Sequence, residues 1–277
     1  MPACDPILCK SILNALVFFY KLTPQSIGIS IIIVTVLLRL LLAPMLSKSL
    51  QNAQLMKDLA PQINKLKKRH KDDKKKFMEA QSQLYKQNGI NPAAGCLPQI
   101  FQIVALYGFF GALSSLLRSS PEHIQSLLFP VLQDFNPSSI QTHFLYLDLA
   151  HPDTFRIPSI PFPIPGAILI AAVLVQFFSS KLMLPKAEAA QKVAAKTKGE
   201  VDDILASSQQ QMLYIFPLLT LIIGISFPSG LVLYWFTLSA FQLIFQDWVS
   251  PQGKSKTFLK SIGLLKYSHP DVKDQKD

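Results

Sequence analysis

Long apolar segments alternate with polar, lysine-rich segments along this chain of 277 residues. A helix needs about 20 apolar residues to cross a bilayer, and four segments come close to that length. A fifth is shorter, contains Pro217, and is joined to the last by the tight Phe227-Pro228-Ser229-Gly230 turn. The pattern therefore predicts an all-α membrane protein whose core is a five-span helical bundle. The predicted spans are residues 26–46, 95–117, 166–184, 212–227 and 228–249.

The N-terminal segment, residues 1–25, contains an apolar stretch from residue 7 to residue 22 that is interrupted by Lys10, Asn14 and Lys21. A proline follows and ends the stretch. An apolar helix that carries charges on one side is typical of a helix lying in the membrane interface. We expect an interfacial helix here, with a short sixth span as the alternative.

Residues 47–94 are strongly basic and contain two sets of apolar positions with helical spacing. The stronger set is Met56, Leu59, Ile63 and Leu66, and the weaker set, after the charged segment 69–76, is Phe77, Gln81 and Leu84. Asn-Gly and Asn-Pro pairs at residues 88–92 end the pattern. This predicts a cytoplasmic helical hairpin, and the alternative is a solvated charged spacer.

Lysine and arginine are distributed unevenly among the segments between spans. Residues 47–94 contain eleven of them, residues 118–165 contain two, residues 185–211 contain four, and residues 250–277 contain six. Segments rich in positive charge stay in the cytoplasm. We therefore expect the N-terminus and the loop 118–165 outside, and the second loop 185–211 and a flexible basic tail 250–277 in the cytoplasm.

The composition agrees with a membrane protein, because 49% of the residues are apolar and only 16% are charged, against about a quarter charged in soluble domains. The net charge of +10 does not indicate DNA binding. The lysines lie beside apolar spans, where they meet anionic lipid headgroups. We expect membrane lipids as partners and no DNA.

Cysteine and histidine positions give no sign of a metal site or a catalytic centre. The cysteines are Cys4, Cys9 and Cys96, and the outer-loop histidines are His123, His143 and His151. Neither set has the spacing of metal ligands. Free thiols are the preferred interpretation, with lipidation of Cys4 or Cys9 as the alternative. The predicted spans contain no histidine to serve a nucleophile, so we expect no metal, no cofactor and no enzymatic activity.

Arg39 lies in the middle of the first predicted span, and an intramembrane arginine is costly and usually functional. The nearest interfacial lysine, Lys48, is nine residues away, roughly 13 Å along a helix. Helical side chains also lean toward the N-terminus, so reaching that interface would oppose the natural direction. The predicted spans offer no acidic partner except Asp247, at the end of the last. We therefore expect Arg39 to face a hydrated cavity. Polar residues of other spans that are available to line it are Gln99, Gln102, Gln176, Ser179, Tyr234, Trp235, Thr237 and Gln242.

Several motifs resemble those of one known family. They are "LLRLLLAP" (37–44), "NPAAGCLPQIFQ" (91–102) with "ALYGFFGAL" (105–113), "FLYLDL" (144–149) and "FPSGLVLYW" (227–235). Together and in this order they resemble the YidC membrane protein insertases, in a short form without the large outer domain. One departure is Val104, where the family usually has proline.

The resemblance implies a five-span core around a hydrophilic groove that is open to the cytoplasm and to lipid and closed on the outer side. It implies Arg39 as the cation of this groove. The substrate-binding residues we predict are Arg39, Gln102, Gln176, Tyr234 and Trp235.

The implied function is a membrane protein insertase and chaperone of the bacterial inner membrane, which works on nascent membrane-protein clients. The ribosome and a secretion channel are its expected partners. We expect no nucleotide hydrolysis, since the sequence contains no P-loop. The alternative is a transporter or channel for a small solute or anion that binds to Arg39. Paired broken spans and internal symmetry, which are common in transporters, are missing from the sequence.

Overall fold

The computed structural model describes residues 7–71, 73–91, 97–158, 163–183 and 214–249. These residues are mostly helical. The helices are α1 (Ile7–Leu22), α2 (Ile27–Asp58), α3 (Ala60–Arg69), α4 (Lys74–Gln87), α5 (Leu97–Arg118), α6 (Pro121–Leu127), α7 (Ala167–Met183), α8 (Tyr214–Gly224) and α9 (Ser229–Val249). The predicted second cytoplasmic loop and the predicted tail lie outside the described residues, as do Cys4 and Cys96.

Helix α1 occupies the apolar stretch expected from the sequence, and one of its faces is buried. Leu13, Leu16 and Val17 are fully covered, because the helix packs against both α2 and α5. Its position relative to the membrane interface stays a prediction. The free-thiol interpretation is wrong for Cys9, whose sulfur is disulfide-bonded.

Helix α2 is 32 residues long and continues beyond the predicted end of the first span. Pro44 lies inside it without ending it. The chain breaks only at Leu59, where Pro61 follows in the first turn of α3 and lacks the N–H that a continuous helix would need. The apolar stripe from Met56 to Leu66 is therefore divided between two helices.

Helices α3 and α4 contact each other. The carboxylate of Asp73 accepts a hydrogen bond from the backbone N–H of Lys76 and so caps the start of α4. A small apolar cluster lies beneath the pair. Its buried members are Leu59, Leu84 and Ile90. We call residues 59–90 the hairpin region.

Three helices among the described residues are long and apolar enough to cross a membrane, and they lie in α2, α5 and α9. Helices α7 and α8 are apolar but shorter. Helix α9 packs against α7 and α2, and it contacts α5 less extensively. The structure thus gives a helical membrane protein, while the full count of five spans stays a prediction.

Residues 119–158 and 163–165, which we call the cap, connect α5 to α7. The cap contains α6, two 3-10 turns (Pro130–Leu132 and Pro137–Ser139), and two short antiparallel strand pairs. The pairs are β1 (His143–Phe144) with β2 (Leu147–Asp148), and β3 (Thr154–Phe155) with β4 (Ile164–Pro165). The all-α prediction omitted these strands. The prolines between residues 158 and 165 disfavour helix here.

Buried polar side chains attach the cap to α1. The Asn14 side chain donates to the carbonyl oxygen of Leu127 at 3.0 Å and accepts from the Phe129 N–H at 2.6 Å. The Tyr20 hydroxyl donates to the Ser139 carbonyl oxygen at 3.0 Å. Because buried backbone groups need such partners, these bonds fix the path of an otherwise irregular segment.

Candidate functional site

Arg39 is half-buried in α2, and its guanidinium contacts the second predicted site residue. The Arg39 Nη2 donates to Gln102 Oε1 over 2.7 Å, and the Gln102 Nε2 donates to the Tyr234 hydroxyl over 2.9 Å. These hydrogen bonds join α2, α5 and α9. We call Arg39, Gln102 and Tyr234 the polar chain.

The far end of the polar chain is held rigidly. Tyr234 is 2% exposed, and its ring stacks on Phe109 with 4.2 Å between centroids. Phe109 follows Gln102 by seven residues, about two turns of α5, so one face of α5 presents both side chains to α9. The fixed tyrosine determines which way the Gln102 amide points, and the amide oxygen is left to face Arg39.

Arg39 has a neutral partner. In the part of the chain that the structure describes, no carboxylate lies within ion-pair distance of its guanidinium. Guanidinium has five N–H donors in a planar fork that suits carboxylates. The arrangement therefore positions a cation without neutralising it, and it leaves donors available to another molecule.

The polar chain lies next to apolar surface. Leu40 and Leu41 follow Arg39 on α2 with exposed side chains, and Phe101 and Ile103 flank Gln102 on α5 and are also exposed. An apolar exposed surface on spanning helices is the surface that lipid covers. The guanidinium thus lies near the exposed apolar surface of α2 and α5.

Gln176 and Trp235, the other two predicted site residues, are half-buried but do not hydrogen-bond to the polar chain among the described residues. The Gln176 Oε1 on α7 is buried without a hydrogen-bond partner there. Trp235 follows Tyr234 directly, and successive helical residues point roughly 100° apart. Their part in a common site stays a prediction.

The predicted cavity lining also included Thr237, Gln99 and Ser179, whose part in it stays a prediction. The Thr237 hydroxyl donates to the Leu233 carbonyl oxygen of its own helix, so its hydrogen-bonding capacity is used locally. The Gln99 side chain lies outside the described residues. Ser179 is buried, as a residue between packed helices.

Gln246 was not predicted. It is 8% exposed on α9, and both polar atoms of its amide are buried without a partner among the described residues. A buried amide ordinarily has hydrogen bonds, so this position needs a polar neighbour such as water. The signal in the sequence is its position one helical turn after Gln242 in an apolar segment.

The start of α9 is bonded to the cap. The Ser229 hydroxyl donates to the Asp148 carbonyl oxygen, the Ser229 N–H to that of His151, and the Gly230 N–H to that of Leu149, at 2.7, 2.7 and 3.1 Å. The first N–H groups of a helix have no partners within it, and here the carbonyl groups of His151 and Leu149 accept from two of them. The cap is therefore hydrogen-bonded to the start of α9.

A further buried carboxylate caps α7. Asp153 Oδ2 accepts from the N–H groups of Ile168 and Leu169 at 3.1 and 3.2 Å, and the Tyr146 hydroxyl donates to it at 3.2 Å. Asp153 is 6% exposed. In the described ranges, no cluster of three histidine, cysteine or acidic side chains has the geometry of a metal site.

Comparison with known proteins gives a family match over most of the chain. Residues 18–256 match the family described as 60Kd inner membrane protein. The membrane protein insertase YidC of Fusobacterium nucleatum is 30% identical over 228 residues, covering 82% of this chain and 88% of the relative. The membrane protein insertase MisCA of Bacillus subtilis is 29% identical, covering 83% and 73%. The chloroplastic ALBINO3-like protein 1 of Arabidopsis thaliana is 32% identical, covering 84% and 45%.

Proposed function

The chain belongs to the family of 60Kd inner membrane proteins, which its YidC relatives share, and from this membership we propose that it inserts membrane proteins into the bilayer. Its apolar helices and its bacterial relatives agree with a multi-pass protein of the cell membrane. The observation that supports a mechanism is the polar chain, in which an intramembrane cation is held by neutral groups alone.

The proposed role of Arg39 is to attract acidic residues in the polar tail of a client. Moving a carboxylate out of water is unfavourable, and a nearby fixed cation lowers that cost. Arg39 lies twelve residues from the start of α2, roughly 18 Å along the helix. It would therefore meet the tail part-way across the membrane. Gln102, which Tyr234 orients, fixes the direction of the Arg39 guanidinium through its hydrogen bond.

The groove we propose opens toward the hairpin region and is closed by the cap. Two observations support this direction. The cap supplies carbonyl partners to the start of α9, and the basic residues of 47–94 favour the cytoplasm for the opposite end. In this orientation the N-terminus lies outside and the C-terminus in the cytoplasm.

The driving force we propose is the transfer of the client's own apolar helix into lipid, so that nucleotide hydrolysis is not needed. The basic hairpin region would receive clients near lipid headgroups. The ribosome and a secretion channel are the further partners that we propose on the cytoplasmic side.

The test uses the full chain in liposomes with a short single-span client whose translocated tail carries two aspartates. A matched client carries asparagines instead. We expect Arg39→Ala to slow insertion of the acidic client about tenfold, equivalent to roughly 1.4 kcal/mol, and to leave the neutral client nearly unchanged. Arg39→Lys should retain part of the effect, because its charge remains but its planar fork is lost.

A second variant tests the charge without removing the arginine. Gln102→Glu places a permanent carboxylate beside Arg39, and we expect it to impair the acidic client as Arg39→Ala does. Gln133→Glu, which adds the same charge at an exposed position of the cap, is the control. Wild-type insertion of both clients by Arg39→Ala and Gln102→Glu would refute the charge mechanism. Anion flux that depends on Arg39 in these liposomes would favour the transporter alternative.

A further inference from the structure

The turn between β1 and β2 in the cap contains a leucine with a left-handed backbone conformation. Leu145 has a φ of 56°, a left-handed conformation that glycine and asparagine adopt at lower cost. Its side chain is 85% exposed. An exposed leucine in water contributes no burial free energy to offset its backbone strain. Backbone strain of this kind commonly marks a functional position.

The residues on either side fix the depth of this turn. The Phe144 ring lies against Gly28, in the first turn of α2, so closely that a Cβ on residue 28 would overlap the ring. The Tyr146 hydroxyl accepts from the Ile168 N–H at 2.8 Å, in the first turn of α7. Both helices are apolar from their first residues onward. Leu145 is therefore held beside the first turns of α2 and α7, where both apolar helices begin.

Exposed apolar side chains also lie on the two segments to which the Tyr146 hydroxyl is hydrogen-bonded. On α7, the exposed residues Ile170, Leu174 and Phe178 recur at helical spacing and form a lipid-facing stripe. In the cap, the exposed Phe155 and Ile157 flank Arg156. Apolar side chains beside a cation are typical of a segment that lies in the membrane interface. The Tyr146 hydroxyl bonds to Asp153, two residues before Phe155, and to the N–H of Ile168, two residues before Ile170.

We propose that Leu145 and Tyr146, together with residues 155–157, form a lipid anchor on the cap. The Leu145 side chain enters the acyl layer of the adjacent leaflet, the Tyr146 and Phe155 rings lie at the headgroup level, and Arg156 meets lipid phosphate. Lipid burial of the leucine offsets its backbone strain. Because the cap also holds the start of α9, this anchor fixes the depth of the closed end of the bundle. The anchor depends on membrane insertion of this chain and not on its insertase activity.

Fluorescence quenching in liposomes tests the depth of the turn. Leu145→Cys is labelled with bimane, and quenching is compared between nitroxides at a shallow and a deep acyl position and iodide in the water. Leu41→Cys, on the exposed apolar face of α2, is the deep control. Ser138→Cys, in an exposed polar turn of the cap, is the aqueous control. Label bound to the native cysteines is measured on the unsubstituted chain and subtracted.

We expect the shallow nitroxide to quench position 145 at least about threefold more strongly than position 138, with iodide showing the reverse order. Iodide quenching at position 145 equal to that at position 138, without nitroxide quenching, would overturn the proposal. A photo-crosslinker at position 145 that yields protein adducts and no lipid adducts in cells would also overturn it.

Leu145→Asn removes the apolar side chain of the anchor and is compatible with the backbone conformation of the fold. Asparagine accepts the left-handed conformation, so we expect thermal unfolding in detergent to match or exceed that of the wild type. In liposomes, bimane at Ile157→Cys should lose its nitroxide quenching when Leu145→Asn is added. Unchanged quenching at position 157 in this folded double variant would contradict a shared anchor.

Discussion

The cap and the hairpin region lie at opposite ends of α2 and α5 and are attached to the bundle in different ways. The cap has little regular secondary structure, yet Asn14, Asp153 and Ser229 bond it to three helices. The hairpin region is regular helix, but its buried residues pack chiefly with one another and with the end of α2. Regular structure and firm attachment are therefore separate properties in this molecule.

This difference has a consequence for stability. Parts of a protein that share few buried contacts open separately, at free energies below that of global unfolding. We expect changes in the cap to destabilise the whole bundle and changes in the hairpin region to act locally. Three predictions test that expectation, in order of decreasing effect.

The largest effect is expected for Gly166→Ala in the cap. A Cβ at residue 166 would overlap the Asp153 carboxyl group and displace it from the N–H groups of Ile168 and Leu169. Unpaired buried donors and a lost helix cap together cost about 3 kcal/mol. The measurement is the midpoint of thermal unfolding in detergent, followed by loss of helical signal.

The matched control is the hairpin-region glycine, Gly89. Its φ is 65° and no atom lies near its missing side chain, so Gly89→Ala has backbone strain alone, about 1 kcal/mol. We expect that strain to leave the bundle midpoint unchanged. Equal midpoint losses in the two variants would mean that the hairpin region and the cap belong to one cooperative unit.

An intermediate effect is expected for Leu84→Ala in the hairpin region. Leu84 is 6% exposed. Truncating a leucine that is buried in a small cluster lowers the free energy of unfolding by about 2 to 3 kcal/mol. Limited proteolysis should cut residues 59–90 faster, while cleavage elsewhere is unchanged. Met78→Ala, at a position of α4 that is 64% exposed, is the control and should behave as wild type. Faster cleavage in the cap would contradict local opening.

The smallest effect is expected at the exposed ion pair of Lys21 and Asp134, whose nitrogen and oxygen are 2.6 Å apart. The hydrogen bond from Lys21 lowers the pKa of Asp134. A lowered carboxyl pKa stabilises the folded state above the unfolded pKa, and that contribution is lost as pH falls through the folded value. Asp134→Asn should lower the unfolding midpoint by at most about one degree at pH 7. The difference should vanish in acid, and a difference that grows there would contradict the pair's role.

The hydropathy of the chain was sufficient to predict the mostly helical class and the main apolar segments. The limits of α1 matched because charges and a proline bound an apolar run. The end of α2 did not match, because a helix need not stop where it leaves the bilayer. The cap strands are two residues each and have no period that a pattern could reveal. Cys9 was misread because the spacing of cysteines does not determine pairing.

The polar chain could be predicted as a set of residues but not as a set of bonds. Arg39, Gln102 and Tyr234 stand out as polar positions in apolar spans. Their pairing depends on the relative rotation and depth of three helices, which side-chain packing across the bundle determines. Gln176 and Trp235 are also polar positions in apolar spans, but among the described residues they do not hydrogen-bond to Arg39, Gln102 or Tyr234.

The sequence motifs that resembled a family are brought into contact by the fold. The segment 144–149 lies against the start of the segment 227–235 through Gly230 and Leu149. Gln102 of the segment 91–102 bonds both to Tyr234 of the segment 227–235 and to Arg39 of the segment 37–44. The segment 227–235 therefore connects the cap to Gln102 and, through it, to Arg39.

The hydrogen bond between Ser229 and Asp148 joins residues that are 81 positions apart, so the two residues are synthesised at different times. A ribosome completes the segment around Asp148 well before it reaches Ser229. Helix α9 is the last helix that the structure describes, and its first N–H groups bond to carbonyl groups that are synthesised well before them. Folding of this molecule would then conclude when the start of α9 docks onto a segment of the cap that has already been synthesised.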